Sequence, residues 1–250
     1  AAPGRPGGGP GLMQPGRTGL PYQILAGVEP VSGGWLVAPG NLQGINLAPQ
    51  EAMVMPTLAD VLDYRPAYTV VALHAPIGVM ENPGEDRTCD VEARERLGRR
   101  GAAVVKAPTR ALLAASTYEE AKAIDPSLSI VRWRAMAKAA EAIREVQSWR
   151  QRTVYEVNPE LALMTMNDGQ PIPFGRRSQL GRDARRALVE AKLPGAASVL
   201  ARRPRGVREE KLIDALADLW TARRVMARAI TRAAADAVWD EEGVRMDIVS

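Results

Sequence analysis

A few side chains in this sequence have both the type and the setting for chemistry. Glu156 lies inside Thr153-Val154-Tyr155-Glu156-Val157, a run of strand formers that Asn158-Pro159 brings to an end. An acid buried in such a strand is costly, so it is neutral, paired or bound to a metal. At a solvated edge it would simply face water, and periodicity alone leaves both readings open. Glu29 closes the apolar segment Tyr22–Glu29 beside a glycine-rich turn, where a ligand role and a solvated turn are again both open. His74, the one histidine, follows the apolar run Tyr68–Leu73. It is the side chain whose charge changes most readily near neutral pH, although a lone histidine after a buried strand is also a common structural group. Asp214 and Asp218 sit one helical turn apart, and Asp218 reads as solvent-exposed. Asp90 and Arg94, four apart, are spaced to pair with each other, and the lone Cys89 beside them reads as a small buried residue.

Composition narrows the chemistry. One cysteine excludes an internal disulfide and any cysteine cluster, and one histidine excludes multi-histidine metal sites. Any metal here must rest mostly on carboxylates, which points to magnesium or manganese and away from zinc. A net charge of +4 permits an anionic partner such as nucleic acid without requiring one. No apolar run approaches the roughly 20 residues that span a bilayer, and no signal-peptide pattern is seen, so a cytoplasmic protein is expected. Oligomeric state is left open.

The elements that must position these residues follow from periodicity. Residues 1–20, rich in Gly and Pro, read as a disordered tail that could adhere to a protein partner. Residues 21–250 read as one domain. Tyr22–Glu29 and Trp35–Ala38 predict a hairpin, Gln43–Leu47 a short third strand, and Thr57–Tyr64 a helix. Tyr68–Leu73, nearly all apolar, predicts a central strand buried on both faces. From about 87 to 150 the pattern is a helical insertion. Its clearest helix, Ser129–Trp149, carries Trp133, Met136, Ala140, Ile143 and Val146 as one apolar stripe, read as core packing. A short helix follows Glu156, a long one is predicted over about 207–235, and Val244–Val249 predicts a last strand. The order gives an α/β class with a mixed sheet, antiparallel in the hairpin and parallel in the crossovers.

Several segments, taken in order, resemble a prokaryotic family of unknown function described as predicted nucleases with an RNase H-like fold. Gly27-Val28-Glu29-Pro30 and Gly33-Gly34-Trp35 match its Gly-Val-Asp-Gly and Gly-Gly-Trp. His74-Ala75-Pro76-Ile77-Gly78 stands for Asp-Ile-Pro-Ile-Gly. Arg87, Cys89, Asp90, Ala93 and Arg94 match Arg-x-Cys-Asp-x-x-Ala-Arg. Glu156-Val157-Asn158-Pro159-Glu160 matches Glu-Val-His-Pro-Glu, and Asp214-Ala215-Leu216-Ala217 matches Asp-Ala-Leu-Ala. The resemblance implies an RNase H-like mixed sheet flanked by helices, with a long C-terminal helix. It also implies carboxylates converging on one cleft and divalent-metal-dependent phosphodiester hydrolysis. The residues it carries over are Glu29, Glu156 and Asp214 as ligands of Mg or Mn, with His74 and Glu160 assisting. Against the family pattern, Glu29 adds a methylene to an aspartate, His74 replaces an acid, and Asn158 replaces a histidine. A catalytically weakened member that binds nucleic acid or a protein is the alternative. Arg176, Arg177, Arg182, Arg185 and Arg186 would be the phosphate contacts, with a merely solvated basic face as the other reading.

Overall fold

The computed structural model describes residues 22–234 and 236–250. The expected tail at residues 1–20 lies outside them.

The chain opens with strand β1 (Gln23–Val31), turns at Ser32-Gly33, and returns as β2 (Gly34–Gln43) in an antiparallel hairpin. The sequence reads Gln43–Leu47 as a third strand. Instead β2 runs on to Gln43, a tight turn forms at Gly44 (φ 60°), and β3 (Asn46–Pro49) pairs back. Strand β4 (Met53–Met55) adds to the first half of β2, and helix α1 (Leu58–Leu62) follows, its N-terminus held by a Thr57/Asp60 capping box. Strand β5 (Val70–Leu73), wholly buried, pairs parallel to β1. The next stretch is helical: α2 (Thr88–Leu97), α3 (Arg110–Leu113), α4 (Tyr118–Ile124) and α5 (Ile130–Glu145). Strand β6 (Val154–Glu156) then pairs parallel to β5, completing a six-stranded mixed sheet of order β3-β2-β1-β5-β6, with β4 also on β2. Helices α6 (Pro159–Met166), α7 (Gln179–Lys192), α8 (Ala196–Ala201) and the long α9 (Glu209–Met226) come last. Short strands β7 (Arg232–Ala233) and β8 (Ile248–Val249) form a separate pair.

Helix α9 stops at Met226, short of the expected 235, because Arg228 turns to φ 53° and the chain enters β7. The last strand likewise shrinks to Ile248–Val249. Among the described residues no helix is long and apolar enough to cross a membrane.

Alternation along the strands sorts their side chains between two faces. Leu25, Leu36, Ala38 and Ala72 pack on α9 through Leu212, Ala215, Leu216 and Leu219. Ala26, Val28, Val71, Leu73 and Val154 pack on the opposite face with Leu58, Val61, Ala142 and Val146. Helix α9 is thus buried all round from Leu212 to Ala222, as a helix in a central layer must be. It lies very close to the sheet. A Cβ on Gly27 would stand 2.0 Å from the Ala215 carbonyl oxygen and 2.3 Å from the Leu219 nitrogen, so only glycine lets strand and helix backbones meet there.

Candidate functional site: a carboxylate cluster at the strand ends

Strands β1, β5 and β6 run parallel, and their carboxyl ends open together into a cleft of about 470 Å³. In open α/β sheets that is where ligands bind. Three polar nests are packed at this end of the sheet, and the pleat decides which residue belongs to which.

The first nest lies between the sheet and α9. Gly27 faces α9, so Glu29, two residues on, does too, as does His74, two beyond Ala72. On α9, Lys211, Asp214 and Asp218 fall at offsets of three, four and seven, the repeat that keeps side chains on one face. Glu29 is fully buried and held at both oxygens: His74 Nδ1 lies 2.5 Å from its Oε1, and Lys211 Nζ donates to Oε2 at 2.6 Å. Burial alone would raise the Glu29 pKa, but the charges and hydrogen bonds of His74 and Lys211 outweigh it and bring the pKa down to about 2. Asp214 accepts a charged hydrogen bond from Arg176. Burial and the Glu29 charge nevertheless push its pKa up to about 7. Asp218, read from the sequence as exposed, is completely buried. Burial, then Glu29 and Asp214, drive its pKa well upward; no N–H or O–H donor of the described residues reaches either carboxyl oxygen, and the group lies within hydrogen-bonding reach of the Glu29 carboxylate. One ligand atom each from Glu29, His74 and Asp218 lie within 4.8 Å of one another.

The second nest lies on the opposite face of the sheet. Glu156 follows Val154 by two residues and so points away from α9. The Arg87 guanidinium grips it at 2.6 and 2.8 Å, grips Asp90 at 2.6 and 3.3 Å, and donates to the Gly78 carbonyl at 2.9 Å. Glu156 also accepts from the Ile77 amide at 3.0 Å, and Asp90 from the Ala107 amide at 3.1 Å. Arg87 and Glu156 therefore clamp the loop that follows His74. Burial still shifts the Glu156 pKa upward against the pull of Arg87. The expectation that Glu156 shares an ion with Glu29 and Asp214 gives way to this geometry: strand β5 lies between β1 and β6, and Glu156 points to the opposite face of the sheet. Asp90 pairs with Arg87, not with Arg94, which donates to the Val104 carbonyl. Cys89 is buried as expected, and burial raises its thiol pKa.

The third nest holds Glu160. Arg185 donates to both its oxygens at 2.8 Å, and Arg100 approaches at 3.3 Å. Arg185 is only 1% exposed and also donates to the Phe174 and Gly181 carbonyls, so it anchors α7 and cannot meet a nucleic acid. Arg182 bonds to its own neighbourhood at the Arg177 carbonyl and Gln179, while Arg186 pairs with Glu190 and Glu209 on the surface. Of the five arginines expected to touch phosphate, Arg176 and Arg177 line the cleft.

Sequence reasoning missed Lys211, Arg87 and the placement of Asp218. Helical spacing from Asp214 signals both α9 residues, and the Arg-x-x-Asp pair signals Arg87. A family model described as "Protein of unknown function (DUF429)" matches residues 27–238. No curated protein and no solved structure matches the chain.

Proposed function

The chain belongs to this family of proteins of unknown function, and we propose that it hydrolyses phosphodiesters with a single divalent cation held by Glu29, His74 and Asp218. The observation that carries the reading is Asp218: a fully buried carboxyl that no N–H or O–H donor of the described residues reaches, set beside ligand atoms of Glu29 and His74. A buried polar group left without a partner is costly, and a cation would relieve that cost. The donor set fits one ion. Two carboxylates suit a hard cation, and the imidazole favours manganese over magnesium. A bound divalent ion supplies Lewis-acid polarisation and a more acidic water at neutral pH. The residues of the chain supply the rest. Lys211, Arg176 and Arg177 line the cleft above the cluster and are placed to hold phosphate oxygens, and Arg177 has no ion-pair partner among the described residues. The RNase H-like resemblance of the motifs supports the same chemistry.

A second reading has its own observation. Lys211 and Arg176 already neutralise Glu29 and Asp214, as two resident cations would in a cleft kept for binding anions without hydrolysis. Hydrolysis of bis(4-nitrophenyl) phosphate and of plasmid DNA, followed with manganese and with magnesium, separates the two. The catalytic reading expects manganese-dependent turnover that Glu29→Gln and Asp218→Asn abolish and that folded Glu156→Gln retains in part. No turnover with either ion, or turnover indifferent to the first two substitutions, refutes it.

A further inference from the structure

The walls of the cleft are chemically unlike each other. One wall is cationic: Arg176 and Arg177 come from the loop before α7, and Arg208 and Lys211 from the start of α9. Arg177 has no carboxylate partner among the described residues, and Arg208, 63% exposed, reaches Glu210 only at 3.5 Å. The other wall carries apolar side chains, Val104, Val105 and Pro108 in the segment after α2 and Ala135, Met136 and Ala139 on α5. The cations among them, Lys106, Arg132 and Lys138, are each paired with a carboxylate of their own, on Asp86, Asp125 and Glu141. Part of the α5 stripe read as core packing therefore also borders the cleft. Met136 does both, closing a small core with Leu112, Ala121 and Leu128 on one side and facing the cleft on the other. Val105 is 67% exposed, open to a ligand in the cleft. Among the described residues no Phe, Tyr or Trp lines the cleft.

These features bear on what phosphate ester would fit. Single-stranded nucleic acid is held by aromatic platforms on which bases stack, together with a charged track for the backbone. Here the charged track is present and the platforms are absent. The volume, about 470 Å³, is that of a small-molecule site, not of a groove for a strand. We propose that the cleft binds a small phosphate ester whose non-reacting part is aliphatic, its phosphate on Arg177, Arg208 and Lys211 and its carbon chain on Val105, Ala135 and Met136. This names the substrate class of the hydrolysis proposed above and rests on that reading only for the fate of the ester, not for its binding.

Binding is tested on the full chain in chelator, so a failure to bind metal or to hydrolyse leaves the result untouched. Dimethyl phosphate and dibutyl phosphate are titrated while methionine methyl resonances are followed by NMR, with Met136→Leu identifying the reporter. Burying two of the additional methylenes gives about a tenfold gain, so dibutyl phosphate is expected to bind at least tenfold more tightly. Arg177→Ala should weaken both esters by a similar factor. Val105→Asn, a neutral change at an exposed position, should cut the preference for the longer chain several-fold. Equal affinity for the two esters overturns the proposal. So does displacement of dibutyl phosphate by an eight-nucleotide thymidine oligomer at a lower concentration than dibutyl phosphate itself requires.

Discussion

Replacing Lys211 with methionine should move two measurements in opposite directions. The ammonium sits 2.6 Å from Glu29 Oε2 and is 17% exposed, so it acts on the carboxylate that the proposed cation needs. Two unit charges about 4 Å apart interact by about 4 kcal/mol at an effective dielectric of about 20. A divalent ion doubles that to about 8 kcal/mol, which bounds the repulsion Lys211 exerts on it. Residual solvation and relaxation of the side chain leave about 1.5–2 kcal/mol, or a roughly 10- to 30-fold gain in manganese affinity. Without metal the same substitution strips a buried carboxylate of one of two partners. Breaking a buried pair costs about 3–5 kcal/mol, and because His74 remains on Glu29 the lower end applies. Calorimetric manganese titration reads the first effect, and urea unfolding in chelator reads the second. Added manganese should then restore more stability to the variant than to the wild type, following ligand linkage. A folded Lys211→Met protein that binds manganese no better than wild type, or more weakly, refutes the placement of the ion beside Glu29.

Three other outcomes follow from the packing and the charges. Gly27→Ala would drive a methyl into the α9 backbone, so a loss of more than about 3 kcal/mol is expected in urea unfolding, and a loss under 1 kcal/mol would contradict the close approach. Arg87→Ala leaves Glu156 and Asp90 buried without their shared cation and should cost about 3–5 kcal/mol, with Arg87→Lys recovering only part because it cannot span both carboxylates. The Asp214 carboxyl has a folded pKa raised to about 7, so the folded state holds a proton that the unfolded chain releases near the ordinary value, and stability in chelator should fall as pH rises from about 4 through 7. Asp214→Asn should flatten that slope by an amount on the order of a few kcal/mol across the window; an unchanged slope between pH 5 and 7.5 would remove Asp214 as its source.

What could be read in the sequence was local. Strands β1, β2, β5 and β6 announce themselves as apolar runs, and the cost of burying an acid among them marks Glu156 as a group that needs a partner, while Glu29 reads equally as a ligand or a solvated turn. Which partner was not legible. The cation on Glu156 comes from Arg87, 69 positions earlier, and the face Glu156 points to depends on the register between β5 and β6. The Asp218 expectation failed because one apolar face on a helix was taken to imply a wet opposite face. Helix α9 lies in a central layer, and Ala215, Ala217 and Ala222 among its leucines, with Gly27 opposite, are the small residues such burial needs. Arg185 looked like a surface charge within a basic run. Only the three-dimensional path of α6 and α7 brings it to Glu160.

The contact at Gly27 also bears on how firmly the cluster holds its shape. Side-chain packing tolerates small shifts by changing rotamers, whereas two main chains in van der Waals contact have no such freedom. Glu29 is two residues from that contact, and Asp214 and Asp218 are each one residue from a contacting backbone atom on α9. The spacing of the carboxylates is therefore gauged by the backbone itself. Substitutions in the surrounding core would alter the stability of the layer long before they altered the distance from Glu29 to the two aspartates. A single methyl group at position 27 would reset that distance directly.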